Sequence, residues 1–186
     1  MEMAWLRRLW MLWEALFRKV AGVRPLRKDG GEYMFLLATR PYVGKPFLVD
    51  GVPVNKHDLV AELHMNNEMI LQVFSEGHGM LALSKRLLDA GRQSLPVLAE
   101  RMQDSEFEGV EVLYGISFVH RVAEAFGFHT FPMSNPFIRA ITTWYLRVLF
   151  RVINPNGGIF IKRHPDMFIP RVIAISKQHL IERYGR

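Results

Sequence analysis

The sequence contains no cysteine. This absence excludes disulfides, thiolate zinc sites, iron–sulfur clusters and cysteine nucleophiles. The sequence also lacks a Gly-x-Ser-x-Gly elbow and a lysine-bearing phosphate loop, so covalent acyl transfer and nucleotide hydrolysis are not expected. Five charged residues interrupt the apolar opening segment, residues 3–20, and argue against both a membrane span and a signal peptide there.

The rest of the composition is typical of a globular protein of one domain. The chain has 186 residues, of which 49% are hydrophobic and 12% aromatic, enough for one sizeable core. Short groups of strands and unevenly placed helices favour an α+β fold, a small antiparallel sheet packed with several helices. We expect residues 1–28 to form a basic amphipathic helix and linker, and residues 29–186 to form the α+β domain.

Local patterns predict the individual elements. Periodicity and turn residues predict strands at 33–39, 46–49, 59–65, 110–114 and 171–175. A strand at 159–163 is expected to form a hairpin with 171–175. Gly91 is expected to end a helix that begins near residue 78, and a second helix to begin at Ser94. Further helices are expected at 118–126, at 136–153 and after Ser176, which serves as an N-cap.

The charge is unevenly divided along the chain. Residues 1–28 carry a net charge of +5, residues 29–135 carry −6 and residues 136–186 carry +7, which together give the +6 of the whole chain. Either the blocks meet and neutralise one another in the fold, or both basic ends face an anionic surface.

The opening helix separates residue types by face. On a helical wheel its apolar residues occupy one arc, which includes the expected membrane-facing residues Trp5, Trp10, Trp13 and Phe17, while its charged residues lie opposite. Tryptophans flanked by arginines are typical of a helix lying in a membrane interface. The alternative is that the same arc docks on the core of the domain.

Glu62 and His64 are the candidate catalytic residues. They are two positions apart in the expected strand at 59–65, so their side chains share one face. A carboxylate beside an imidazole can orient it as a general base, with His120 or His129 as a conceivable third group. The alternative is an ordinary solvated sheet face. No metal ligand set and no cofactor are predicted.

A basic stripe follows the helix expected at 136–153. Arg139, Arg147 and Arg151 recur at spacings of four and eight residues and could bind phosphates or anionic glycans. The alternative is the solvated side of a core helix. Nucleic acid is an improbable partner, because no zinc finger, RNA-binding strand motif or basic recognition helix is present.

Three parts of the chain resemble the YkoP-like domain of bacterial proteins. They are the segment KHDLVAELHMNN at 56–67, the pair LYGIS at 113–117 and AFGF at 125–128, and the closing residues 176–184. In this family a glycine usually precedes the aspartate of the first segment, where this sequence has His57. The resemblance implies a link to the bacterial cell envelope, because similar domains accompany polysaccharide deacetylases. It implies no catalytic residues.

Two hypotheses result. The first is a non-catalytic accessory protein of the cell envelope, cytoplasmic and peripheral to the inner face of the membrane, with anionic lipid and envelope-glycan enzymes as partners. The second is an enzyme of unrecognised type, acting on envelope glycan or lipid, with a site around Glu62 and His64. The oligomeric state is not predicted.

Overall fold

The computed structural model describes residues 19, 22–26, 33–67, 69, 80–153, 157–163 and 165–185, with the side chains of 80–84, 152, 153 and 167 excepted. Within these ranges the chain forms five α-helices and eight strands. The strands are β1 (Arg24–Pro25), β2 (Phe35–Pro41), β3 (Phe47–Val49), β4 (Val52–Val54), β5 (Leu59–Met65), β6 (Val112–Ser117), β7 (His129–Pro132) and β8 (Arg171–Ser176). The helices are α1 (Met80–Arg101), α2 (His120–Ala125), α3 (Pro136–Ile153), α4 (Gly157–Arg163) and α5 (Lys177–Tyr184).

Six strands form one mixed sheet in the order β1-β2-β5-β6-β8-β7, and β3 and β4 form a separate two-stranded hairpin. All neighbours are antiparallel except β5 and β6. A parallel pair needs a long crossover, and the chain between β5 and β6 includes α1. The α+β fold class is therefore confirmed.

The main core lies on one face of the sheet, beneath α1 and α5. Alternation along the strands places Leu37, Leu63 and Leu113 on this face. They pack with residues of α1 and α5 that are almost completely buried, namely Leu95, Leu98, Ala99 and Leu180.

The β3–β4 hairpin packs against the opposite face of the sheet. Its two-residue turn is Asp50-Gly51, both with positive φ, at 49° and 80°, as a type I′ turn requires. The hairpin buries Val49 and Val54 against sheet residues Val60, Val112 and Ala174. The short strand expected at 46–49 is confirmed as β3, whereas β4 is a strand that the sequence patterns do not predict.

The helix break expected at Gly91 is wrong, because α1 is continuous from Met80 to Arg101 and includes Pro96. Gly91 is buried in this helix, and a Cβ there would lie 2.5 Å from the ring of Phe126. The lack of a side chain at Gly91 therefore permits close packing against Phe126, and Gly91 does not end the helix. Tertiary packing outweighs the local preference for a helix end.

The strand expected at 159–163 is also wrong, since these residues belong to α4. In α4, Ile161 packs with Phe150 of α3 and with Phe168. A short apolar run fits either a strand or a helix, and packing decides between them. β8 instead pairs with β6 and with β7, a strand that the sequence patterns do not predict.

Several other expected strands and helices agree with the structure, whereas Arg24–Pro25 of the expected linker form β1. β5 has the predicted bounds, β2, β6 and β8 shift by one to three residues, and α3 spans the predicted 136–153. Ser176 is the N-cap of α5, and its Oγ accepts a hydrogen bond from the backbone N–H of His179 at 3.1 Å.

Candidate functional site

Glu62 and His64 lie on the sheet face that carries the β3–β4 hairpin. Both side chains are mostly buried, and Glu62 Oε2 lies 3.6 Å from His64 Nε2. Arg40 of β2 brings its Nε to 3.0 Å from the same carboxylate oxygen. The shared strand face was predictable from alternation, whereas the arginine was not, because the β2–β5 register that brings it close is a tertiary feature.

The neighbouring charges determine the protonation states of Glu62 and of Tyr114, which lies beside it. Burial alone raises the pKa of Glu62, but hydrogen bonding to His64 and the charges of His64 and Arg40 outweigh it and hold the pKa below its ordinary value. Tyr114 is the register partner of Glu62 on β6. Burial, together with the Glu62 charge, raises the pKa of Tyr114 to about 12. The cluster is thus an ionised carboxylate beside a neutral phenol.

His120 and His129, the residues expected as a third catalytic group, have other partners than Glu62 and His64. His129 pairs with Asp50, their Nε2 and Oδ1 atoms being 2.7 Å apart. His120 is on α2, where burial and the charge of Arg171 lower its pKa. Among the described residues, no group of three histidine, aspartate or glutamate side chains is placed to hold a metal ion. The catalytic role of Glu62 and His64 stays a prediction.

A cavity of about 330 Å³ lies at the edge of the sheet. Its lining includes Arg24 of β1, Arg40 of β2 and Arg101 of α1, but neither Glu62 nor His64. Glu106 lies between two of these arginines. It accepts from Arg24 Nη1 at 2.9 Å and is ion-paired with Arg101. Arg101 is also ion-paired with Asp104, and Arg40 with Glu62, so each of the three arginines has a carboxylate partner within the chain.

The α3 helix exposes part of its apolar face. Four large apolar side chains near its N-terminal end are exposed, Phe137 by 72%, Ile138 by 49%, Ile141 by 51% and Trp144 by 68%. Phe137, Ile141 and Trp144 recur at the three- and four-residue spacings that place side chains on one side of a helix, and Ile138 lies at the edge of that side. An exposed apolar patch of this kind marks a contact surface for a protein or a membrane. We call these four residues the α3 apolar face.

The arginines of α3 have different surroundings. Arg139 and Arg151 are exposed. Arg147 is half-buried, and its Nη2 donates to the carbonyl oxygen of Pro165 at 3.4 Å. The three arginines therefore do not form one open stripe, and an anion-binding role for them stays a prediction.

The tryptophans and Phe17 of the opening segment lie outside the described residues, so their contact with a core or a membrane stays a prediction. Among the described helices, none is long and apolar enough to span a bilayer.

The sequence was compared with known proteins. No curated protein and no solved structure matches it significantly. It does match the YkoP domain over residues 3–184. The match extends beyond the segments that carry the resemblance and includes most of the opening segment. Because it covers nearly the whole chain, this protein belongs to the YkoP domain family.

Proposed function

We propose that this protein is a non-catalytic accessory protein of the bacterial cell envelope that attaches peripherally to the inner face of the cytoplasmic membrane. The observation that carries the proposal is the α3 apolar face. A soluble domain gains stability by burying phenylalanine, isoleucine and tryptophan side chains, so four of them exposed on one helix indicate that something outside the domain covers them.

The charges beside the α3 apolar face favour an anionic membrane. Arg139 and Arg151 are exposed on the same helix, and Lys162 and Arg163 are exposed at the end of α4. α3 has no acidic residue in its first turn. Aromatic side chains beside basic ones suit the boundary between lipid headgroups and acyl chains. The opening segment, with three tryptophans and a basic flank, supports attachment at a second point.

A catalytic function around Glu62 and His64 receives less support. The predicted role of Glu62 is to orient the imidazole of His64 as the general base. Arg40 also contacts this carboxylate, with its Nε 3.0 Å from Oε2, and neither Glu62 nor His64 lines the cavity at the edge of the sheet. A carboxylate shared with an arginine in this way is typical of a structural ion pair.

Vesicle co-sedimentation tests the membrane proposal. We expect the full chain to bind vesicles containing phosphatidylglycerol and to bind pure phosphatidylcholine more weakly, because the basic residues attract anionic headgroups. Replacing Phe137 and Trp144 together by glutamate should weaken binding at least about tenfold, since each substitution removes a large apolar side chain that is buried in the bilayer when the protein binds.

The matched control replaces Val43 and Leu48 by glutamate. These apolar residues are equally exposed but lie on and near the β3–β4 hairpin, so their replacement should leave vesicle binding unchanged. A full chain that does not sediment with phosphatidylglycerol vesicles would exclude the proposal. Equal losses for the two double variants would show that binding has no preferred surface.

A further inference from the structure

The two halves of α3 have different surroundings. Every residue from 136 to 141 is exposed, whereas Leu149 and Phe150 are buried. Phe150 belongs to an aromatic cluster with Phe168, at a ring-centroid distance of 4.9 Å. The C-terminal half of α3 is therefore held by the domain, and its N-terminal half projects from it.

The geometry points to an oblique membrane insertion, in which the N-terminal end of α3 enters the bilayer first and Arg151 stays at the level of the lipid phosphates. This inference rests on the proposed membrane attachment and adds the orientation of the helix and the chemistry of the headgroup contact. The occupant of the α3 apolar face is then the interface of an anionic phospholipid bilayer.

The position of Arg151 excludes a helix lying flat in the interface. At 100° per residue, Phe137, Trp144 and Arg151 point within about 40° of one another. A flat helix would therefore insert the guanidinium of Arg151 as deeply as the indole of Trp144, and a buried unpaired charge is strongly unfavourable. Tilting removes the conflict, because seven residues of helix separate the two side chains by about 10 Å.

The N-terminal end of α3, which enters the bilayer, is suited to an apolar environment. The first backbone N–H groups of a helix have no partner within the helix, and exposing them to lipid is costly. Asn135 Oδ1 accepts from the N–H groups of Phe137 and Ile138, at 3.0 and 3.2 Å. The carbonyl oxygen of Asn135 accepts from the N–H of Arg139 at 3.0 Å. The side chain of Arg139 lies on the other side of the helix and can extend toward the headgroups.

Charge decides between the membrane and other occupants. Residues 1–28 of this chain carry a net charge of +5, and a second copy would bring the same arginines of α3. Neither therefore complements the positive charge of Arg139 and Arg151. An anionic bilayer offers both the apolar phase and the opposite charge.

Tryptophan fluorescence tests the orientation. The chain has four tryptophans, so replacing Trp5, Trp10 and Trp13 by phenylalanine leaves Trp144 as the only reporter. A second reporter adds Phe137→Trp and Trp144→Phe to that background. In phosphatidylglycerol vesicles brominated near the bilayer centre, we expect position 137 to lose more fluorescence than position 144. With bromine near the headgroups, the order should reverse.

The headgroup contact is tested by Arg151→Gln, with Arg151→Lys as the conservative variant. We expect Arg151→Gln to reduce the preference for phosphatidylglycerol over phosphatidylcholine several-fold, and Arg151→Lys to restore most of it. The control is Arg121→Gln, an exposed arginine on α2, which should leave the preference unchanged.

The outcomes separate this inference from the proposed function. Equal quenching at 137 and 144 would overturn the oblique orientation. Vesicle-bound protein with both reporters unquenched would overturn the inference and leave attachment by the opening segment intact. A fluorescence shift that depends on protein concentration without vesicles would identify a second copy as the occupant. Absence of vesicle binding would overturn the proposed function as well.

Discussion

Asp50 Oδ2 accepts a hydrogen bond from the backbone N–H of Ser176 at 2.8 Å, across 126 residues of sequence. Asp50 is the first residue of the β3–β4 turn, and Ser176 is the N-cap of α5. The other carboxylate oxygen of Asp50 lies 2.7 Å from His129 Nε2 and 3.6 Å from His179 Nδ1. One side chain, 11% exposed, therefore connects the hairpin to β7, β8 and α5.

Replacement of Asp50 by asparagine tests this connection. We expect the free energy of unfolding near neutral pH to fall by about 1–3 kcal/mol, because a charged acceptor is lost from a mostly buried site. Urea denaturation monitored by circular dichroism measures the change. Asp89→Asn, a similar change at an exposed carboxylate of α1, should change stability by less than about 0.5 kcal/mol.

The effect of Asp50 should depend on pH. Burial alone raises its pKa, but hydrogen bonds from Ser176 and His129 and the His129 charge outweigh it, so the folded-state pKa is lowered. The stabilisation is therefore complete above the ordinary aspartate pKa and is lost as the pH falls through the lower folded-state value. The wild type and Asp50→Asn should approach equal stability in acid. A difference that stays constant from neutral to strongly acidic pH would contradict this account.

His57 occupies a position that suits glycine. Its φ is 77°, and its N–H donates to the carbonyl oxygen of Tyr42 at 2.7 Å. Glycine adopts this left-handed conformation without strain, whereas a residue with a Cβ does not. We expect His57→Gly to raise the free energy of unfolding by about 0.5–1 kcal/mol, because a side chain is strained there.

The matched control for His57 is its neighbour Lys56, which is exposed and has no positive φ. Lys56→Gly should lower stability slightly, because glycine increases the freedom of the unfolded chain. The explanation fails if both glycine variants are destabilised to the same extent in thermal melts.

Gly115 allows β5 and β6 to approach closely. A Cβ at this position would lie 2.7 Å from the backbone oxygen of Leu63. Since that atom belongs to the core of the sheet, we expect Gly115→Ala to lower the free energy of unfolding by about 2 kcal/mol or more.

A Cβ at Gly158 in α4 would meet no atom within 4 Å, so Gly158→Ala should raise stability by up to about 1 kcal/mol. Calorimetric melts that place both variants on the same side of wild type would contradict this prediction.

Arg40 should control the ionisation of Glu62. Arg40→Met keeps much of the side-chain length and removes the charge 3.0 Å from Glu62 Oε2. We expect the pKa of Glu62 to rise, because burial raises it and the charge of Arg40 no longer opposes that effect. Titration of the carboxyl carbon by NMR measures it, with Arg92→Met on the exposed surface of α1 as the control. An unchanged Glu62 titration would show that Arg40 does not stabilise the carboxylate.

The candidate sites differ in how far the sequence could predict them. Strand alternation was enough to place Glu62 and His64 on one face, because that pattern is local. The same residues could not reveal Arg40 or Tyr114, which arrive through strand register. The wheel of α3 places Ile141 opposite Arg139 but Arg151 beside Trp144, and it could not show that the apolar side is partly open to solvent, since exposure depends on what packs there.

The sequence by itself determined the elements whose signals are local. Asp50-Gly51 specified the hairpin turn, Ser176 specified the start of α5, and the periodicity at 136–153 specified α3. Packing was needed to show that α1 continues through Gly91, that residues 157–163 form a helix, and that Asp50 bonds to Ser176. Each of these depends on a contact outside the local segment, such as Phe126 against Gly91 or Phe150 against Ile161. Local preferences are weak enough for a packed contact of that kind to override them.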